Sequence, residues 1–220
     1  MQIEVRFRRR ATDGGDVPTL NARIIKALSG LKGFWRPGDH LPHLDKGEGE
    51  SASIDLTPCL ENGIRGAISY ASRLKGGLID KAISDDVLTL KINAADYEWF
   101  GQEIFAKIVL AFEPYRAGMI SDLDQDLDDF EDIVNESRRT GLDVDGRDTI
   151  FRIQPISYFD DILCCRAFCI NSDEALGRMS REGIQASKVY SGVLIQANKH
   201  PLNGRHLIEF DARVRRALSS

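Results

Sequence analysis

Carboxylates are the side chains whose type and spacing stand out in this chain. Between Asp122 and Glu136 lie five further aspartates and one glutamate, with no Lys or Arg among them. So many unneutralised acids could ligate a cation, act as acids, steer a basic partner or keep a surface wet. Calcium binding of the EF-hand kind is excluded by spacing. Counted from Asp122, the sixth position is Leu127 where that loop needs glycine, and the twelfth is Ile133 where it needs glutamate.

Other chemistry-bearing residues are weaker candidates. His40 and His43, in DHLPH, have a spacing that could ligate zinc, and Cys164, Cys165 and Cys169 could complete a set. A proline-rich exposed loop that happens to hold two histidines explains the pair better, because closed zinc sites use regular ligand pairs. His206 and Glu209, three apart on a helix, offer a metal geometry, but four histidines in the whole chain leave little to complete it. Cys164 and Cys165 follow FDDIL, an acidic and apolar setting that raises a thiol pKa rather than making a nucleophile. The phosphate-binding patterns GxxxxGK[ST] and GxGxxG and the serine elbow GxSxG are all absent. No catalytic residue, cofactor or metal is assigned, and the chain is expected not to be an enzyme. The alternatives kept open are a metal-dependent enzyme using His40, His43 or the cysteine cluster, and an adaptor or chaperone that carries a secreted effector.

The elements that must position the acids follow from periodicity. Ile3, Val5 and Phe7 alternate with Arg6 and Arg8, the period of a half-buried strand. After a TDGGD turn, Leu20, Ile24, Ala27, Leu28 and Leu31 share one helical face. A long Gly- and Pro-rich loop follows, and its Phe34 and Trp35 serve equally well as a second partner contact or as a cap on the local core. Thr57 and Pro58 look like a helix start, with a stripe of Leu60, Ile64, Ala67, Ile68, Ala71 and Leu74. DDVLTLKIN reads as a strand, and Asp96 as the cap of a helix carrying Phe100, Ile104, Ile108 and Ala111. RAGMISD is a short extended piece. TIFRIQPISYF is a strand interrupted at Pro155, SDEALGRMSREG a short helix and SGVLIQA a buried strand. A last helix turns Leu207, Phe210, Val214 and Leu218 inward. The expectation is one α+β domain over 1–220, with a mixed or antiparallel sheet flanked by amphipathic helices, or two packed halves meeting near residue 120.

Bulk properties narrow the function. A length of 220 residues suffices for one complete core, and 42% hydrophobic with 29% charged residues is ordinary globular composition. A net charge of −5 argues against general nucleic-acid binding. No run approaches the ~20 apolar residues of a membrane span. MQIEVRFRRR lacks the apolar stretch of a signal peptide, so a cytoplasmic location is expected. The cysteines then read as reduced thiols in a partly buried segment, and the NES at Asn135 is not a glycosylation site.

In the acidic segment, Leu123, Leu127, Phe130 and Val134 fall on one narrow helical stripe, which predicts an amphipathic helix with that stripe inward. Asp124, Asp128, Asp129, Glu131, Asp132 and Glu136 would then point outward. Like charges four apart, such as Asp124 with Asp128, each cost about 0.2–0.5 kcal/mol in an isolated helix. Residues 121–148 hold eleven acids and three arginines, a local −8; with −5 overall, the rest of the chain carries +3. Mixed signs would give solubility without repulsion, whereas a rigid single-sign face steers a basic partner. Partner-binding residues are therefore expected at Asp124, Asp128, Asp129, Glu131, Asp132 and Glu136, with Trp35 as a further contact. The partner expected is a protein that itself binds nucleic acid, since carboxylates placed where phosphates would sit block a basic cleft.

Several pieces occur in an order that resembles one family. They are the N-terminal strand, LSGLKGFWRPG with Trp35, FEPYRAGMISD, SYFDDILCC, VYSGVLIQANKHPLN and the closing helix. This layout is similar to the immunity-protein-52 group of bacterial polymorphic-toxin immunity proteins. The resemblance spans most of the chain as a series of short motifs. It implies a non-enzymatic cytoplasmic protein that binds a cognate toxin delivered by a contact-dependent system such as type VI secretion. The usual toxin has a nuclease domain, so the protein would be a nuclease inhibitor. No catalytic residue is carried over, and neither direct nucleic-acid nor membrane binding is implied.

Overall fold

Strand β1 (Gln2–Arg10) buries Ile3, Val5 and Phe7 on one face and turns Glu4, Arg6 and Arg8 to the other, as strand geometry dictates. The structure is a computed structural model that describes residues 1–12, 16–36, 38, 42, 44, 51–73 and 78–219. Among these residues, β1 lies inside an eight-stranded sheet of order β2-β3-β4-β1-β5-β6-β8-β7, antiparallel at every pairing. The other strands are β2 (Ala52–Asp55), β3 (Arg65–Tyr70), β4 (Asp85–Asn93), β5 (Arg116–Ile120), β6 (Ile156–Asp160), β7 (Ala186–Val189) and β8 (Gly192–Gln196). The α+β expectation holds, with helices added to both faces of one sheet.

Register decides which residues share a face. Ile3, Val5 and Phe7 stand opposite Ile92, Leu90 and Leu88 on β4, and Val5 and Phe7 stand opposite Met119 and Ala117 on β5. Helix α1 (Val17–Ser29) and a longer helical run cover this first face. That run is α2 (Tyr97–Trp99), a π-helical stretch at Phe100–Ile104 and α3 (Phe105–Phe112). The Phe7 and Phe105 rings meet at 5.0 Å. On the second face, Tyr115, Phe159, Val193 and Ile195 build another core with α5 (Asp161–Phe168), α6 (Ser172–Arg181) and α7 (Gly204–Ser219). Two cores therefore lie on the two sides of one sheet, one drawn from residues 3–119 with Ile156, Tyr158 and Leu194, the other from Tyr115 and residues 150–218. Tyr158 joins the first and Phe159 the second, the two-residue period of β6.

Several expectations are corrected. The helix expected from Thr57 is a single 3-10 turn, Thr57–Cys59, followed by β3. A side chain in place of Gly66 would put a Cβ 2.4 Å from Leu90 Cδ2, so the chain there lies close against β4. Thr57 makes no cap; its hydroxyl accepts from the Gly66 amide at 3.2 Å. Asp96 likewise caps nothing with its side chain. The strand expected across Pro155 begins only at Ile156, and FDDILCCRAF yields α5, whose cap is Asp160: its carboxylate accepts from the Leu163 amide at 2.7 Å. Strands β2 and β7 went unread, being four residues each with weak alternation. Of the cysteines, Cys59 and Cys164 are buried whereas Cys165 and Cys169 are exposed. Burial pushes the Cys164 thiol up to about 12.

Phe34 and Trp35 cap the first core. Trp35 is 7% exposed and bridges to Leu60, and the Phe34 ring sits edge-on to Phe100 at 6.1 Å. Trp35 is therefore no exposed partner contact. His40 and His43 lie outside the described residues.

Candidate functional site

Helix α4 (Leu123–Thr140) forms where the acidic segment predicts it, but it is rotated about its axis. Leu123, Leu127 and Phe130 are 37%, 72% and 65% exposed, while Asp129 is 5% exposed. The inward apolar stripe and the outward Asp129 are both corrected. The cause lies in the sheet: the face under α4 presents Arg6, Arg8 and Arg116, and Arg152 joins them from the chain before β6. Burying a Leu or Phe side chain is worth about 1.5–3 kcal/mol. Leaving a buried guanidinium without a carboxylate costs about 3–5 kcal/mol. The acidic side of the helix wins because Asp126 answers Arg6 and Asp129 answers Arg152, while Asp145, beyond the helix, answers Arg8 and Arg116.

The inward contacts are specific. The Asp129 carboxylate accepts from Arg152 through Nε at 2.8 Å and Nη2 at 2.7 Å, and from Gln125 Nε2 at 2.9 Å. Asp126 lies 3.7 Å from Arg6 Nη2, and burial raises its pKa although Arg6 opposes the shift. In the loop that follows α4, Asp145 takes Arg116 on its carboxylate at 2.5 Å and Arg8 on its backbone carbonyl at 3.2 Å. Between helix and sheet these groups enclose a cavity of about 40 Å³, bordered by Gln154. That is room for water molecules, not for a metabolite.

Both ends of α4 are fixed. Asp122 accepts from the Gln125 amide at 3.1 Å and, with its other oxygen, from the Gly204 amide at 2.7 Å, which ties the start of α4 to the start of α7. Gly141, in the left-handed region at φ 73°, closes the helix, with Arg138 and Arg139 in its last turn. The candidate residues thus separate. Asp129 is internal. Glu136 is half-buried and pairs with Arg139, which holds its carboxyl below its ordinary pKa. Asp124, Asp128, Glu131 and Asp132 are exposed, and among the described residues none of them is ion-paired.

At about 100° per residue, the order around the helix is informative. From Asp129, which faces Arg152, the surface turns through Asp126, which faces Arg6 of β1, to the strip of Phe130, Leu123 and Leu127. It continues through Glu131, Asp124, Asp128 and Asp132. The apolar strip therefore flanks the β1 side of the helix. There, among the described residues, β4 and β3 leave the second face of the sheet uncovered, with Lys91, Arg65 and Ser69 exposed.

A second ionic cluster lies at the other end of β1 and was not read from the sequence. Asp85 accepts from Arg147 Nε at 2.8 Å and from the Tyr115 hydroxyl at 2.6 Å, while Arg73 and Arg9 clasp Asp86 at 2.7 and 3.1 Å. Burial raises the Asp85 pKa in spite of Arg147. Such buried pairs occupy no open cleft and act structurally. The adjacent acids of DDVLTL were the available signal. Among the described residues, no three His, Cys, Asp or Glu side chains are grouped to hold a metal, and no helix is long and apolar enough to cross a membrane.

No family model and no curated protein matches the chain, so the resemblance to the immunity-protein-52 group rests on its short motifs. A solved structure, the Pseudomonas aeruginosa T6SS protein PA0821, is similar with a TM-score of 0.51 and 13% identity. The match spans 98% of this chain and 72% of that one. At that identity the likeness is one of fold: this chain folds like a protein of bacterial type VI secretion.

Proposed function

We propose that the chain is a cytoplasmic immunity protein that binds and neutralises a cognate secreted toxin, a basic nuclease domain being the partner its surface suits. One observation carries the reading: Asp124, Asp128, Glu131 and Asp132 stand exposed on a helix fixed at both ends, with no ion pair among the described residues. Like charges held rigidly together are unfavourable alone and favourable against a basic surface, where they speed association. The fold likeness to a T6SS protein and the family resemblance support the secretion context. The protein acts by binding rather than by catalysis, and needs no cofactor.

The test is co-expression with the protein encoded immediately beside it. A stable one-to-one complex and rescue of growth are expected. The double reversal Asp128→Lys/Asp132→Lys should weaken binding at least tenfold, mainly through slower association. A neighbour that is neither toxic nor bound would sink the proposal.

A further inference from the structure

Leu123, Leu127 and Phe130 form a strip that nothing in the described fold covers. Their i, i+4, i+7 spacing gives one continuous line along α4, with half-buried Val134 extending it. We propose that this strip anchors a docking site for a basic amphipathic protein segment, one that presents two or three apolar side chains flanked by Lys or Arg. The inference rests on the function proposed above and names the part of the surface that holds the toxin, together with the chemistry that must meet it.

Charge complementarity selects this occupant. One border of the strip is Glu131, Asp124, Asp128 and Asp132, four carboxylates without a counter-charge among the described residues. An apolar partner alone would leave them unpaired. A segment with interleaved bases answers the apolar strip and the acids together. A second copy packed with its α4 antiparallel fits poorly, because that two-fold contact would bring two such acidic borders face to face. An anionic lipid surface is repelled for the same reason. Truncation studies of interfaces show that affinity resides in a few buried aromatic and apolar anchors, while exposed rim charges act on the rate of encounter. Phe130 and Leu127, the most exposed of the three, are therefore the anchors, and the acids are the steering group.

Two full-length variants separate these roles: Leu127→Ser/Phe130→Ser, and Asp124→Asn/Asp128→Asn/Glu131→Gln/Asp132→Asn. All six positions are exposed, so circular dichroism and thermal unfolding should match the parent. The probes are a synthetic amphipathic Leu/Lys helix and the same pattern with Glu in place of Lys, followed by fluorescence anisotropy at two salt concentrations. The parent should bind the Lys probe and not the Glu probe. The serine variant should lose more than tenfold in affinity through faster dissociation, with its salt dependence unchanged. The neutralised variant should lose association rate and salt dependence. Equal binding of both probes, or full affinity in the serine variant, overturns the proposal. A parent dimer in light scattering that the serine variant separates also overturns it, since the occupant would then be a second copy. In co-expression, rescue that survives Leu127→Ser/Phe130→Ser but not Asp128→Lys/Asp132→Lys rejects the anchor and keeps the proposed function. If the parent itself gives no rescue, the proposed function falls, and the probe result alone decides the docking site.

Discussion

Two aspartates in adjacent positions have opposite fates. Asp128 is exposed and has no ion pair among the described residues, whereas Asp129 is bound bidentately by Arg152 and held by Gln125. Asp129→Ala should therefore cost about 1.5–3 kcal/mol in urea unfolding, because it removes both charge-assisted hydrogen bonds from Arg152, which keeps only Asp211 at 3.7 Å among the described residues. Asp128→Ala should stay within about 0.5 kcal/mol of the parent. Equal effects would mean that α4 is not rotated as described. The thiols divide in the same way. In the folded chain Cys165 and Cys169 should take up a maleimide, while Cys59 and Cys164 should react only after unfolding, all four then being counted by mass. Sequence could identify α4 as a helix but not tell Asp128 from Asp129. Their difference is set by Arg6, Arg116 and Arg152, which are distant in the chain and come together only once the sheet exists.

At the level of elements, legibility follows how the buried face is built. Strands β1 and β4 and the run through α3 bury Val, Ile, Leu and Phe at regular intervals, so their period declares them. The segment from Thr57 carries apolar residues that also fit a helical stripe. Gly66 and the pairing of Ile68 with Leu88 make it a strand, and neither is visible locally. Helix α4 is held by ion pairs rather than by an apolar face, which inverts the usual logic of an amphipathic helix. Its attachment should be salt-sensitive. Raising salt to about 1 M, where the screening length falls to roughly 3 Å, should speed amide exchange in α4 while leaving α3 unchanged. Equal protection of both helices at all salt levels would contradict an ionic dock.

Across the whole molecule, the carboxylates titrate in two directions. Asp126 and Asp85 have pKa values raised by burial, so the folded state takes up their protons before the unfolded state does. Stability should thus rise as pH falls from neutrality toward their folded values. Glu113 and Asp80 are held low mainly by hydrogen bonds from Arg23 and Arg166, and Asp161 by the Ser172 amide. Their contribution is present above the ordinary carboxylate range and is lost as pH falls through the depressed values. Thermal unfolding across pH should show a maximum on the mildly acidic side, then a steep decline below about pH 4. A monotonic fall from neutrality would show that the raised pair does not govern the upper limb.

The position of β1 bears also on how the chain is made. Both of its neighbours, β4 and β5, come later in the sequence, at Asp85–Asn93 and Arg116–Ile120. During synthesis this strand must wait with two bare edges, each a template for pairing with another nascent chain. Arg6, Arg8, Arg9 and Arg10 make that premature pairing self-repelling. The same arginines later bind Asp126, Asp145, Asp86 and Asp160, so they act first as gatekeepers and then as clasps. Replacing them with apolar residues would therefore harm yield from the ribosome before it could be judged by the stability of the finished fold.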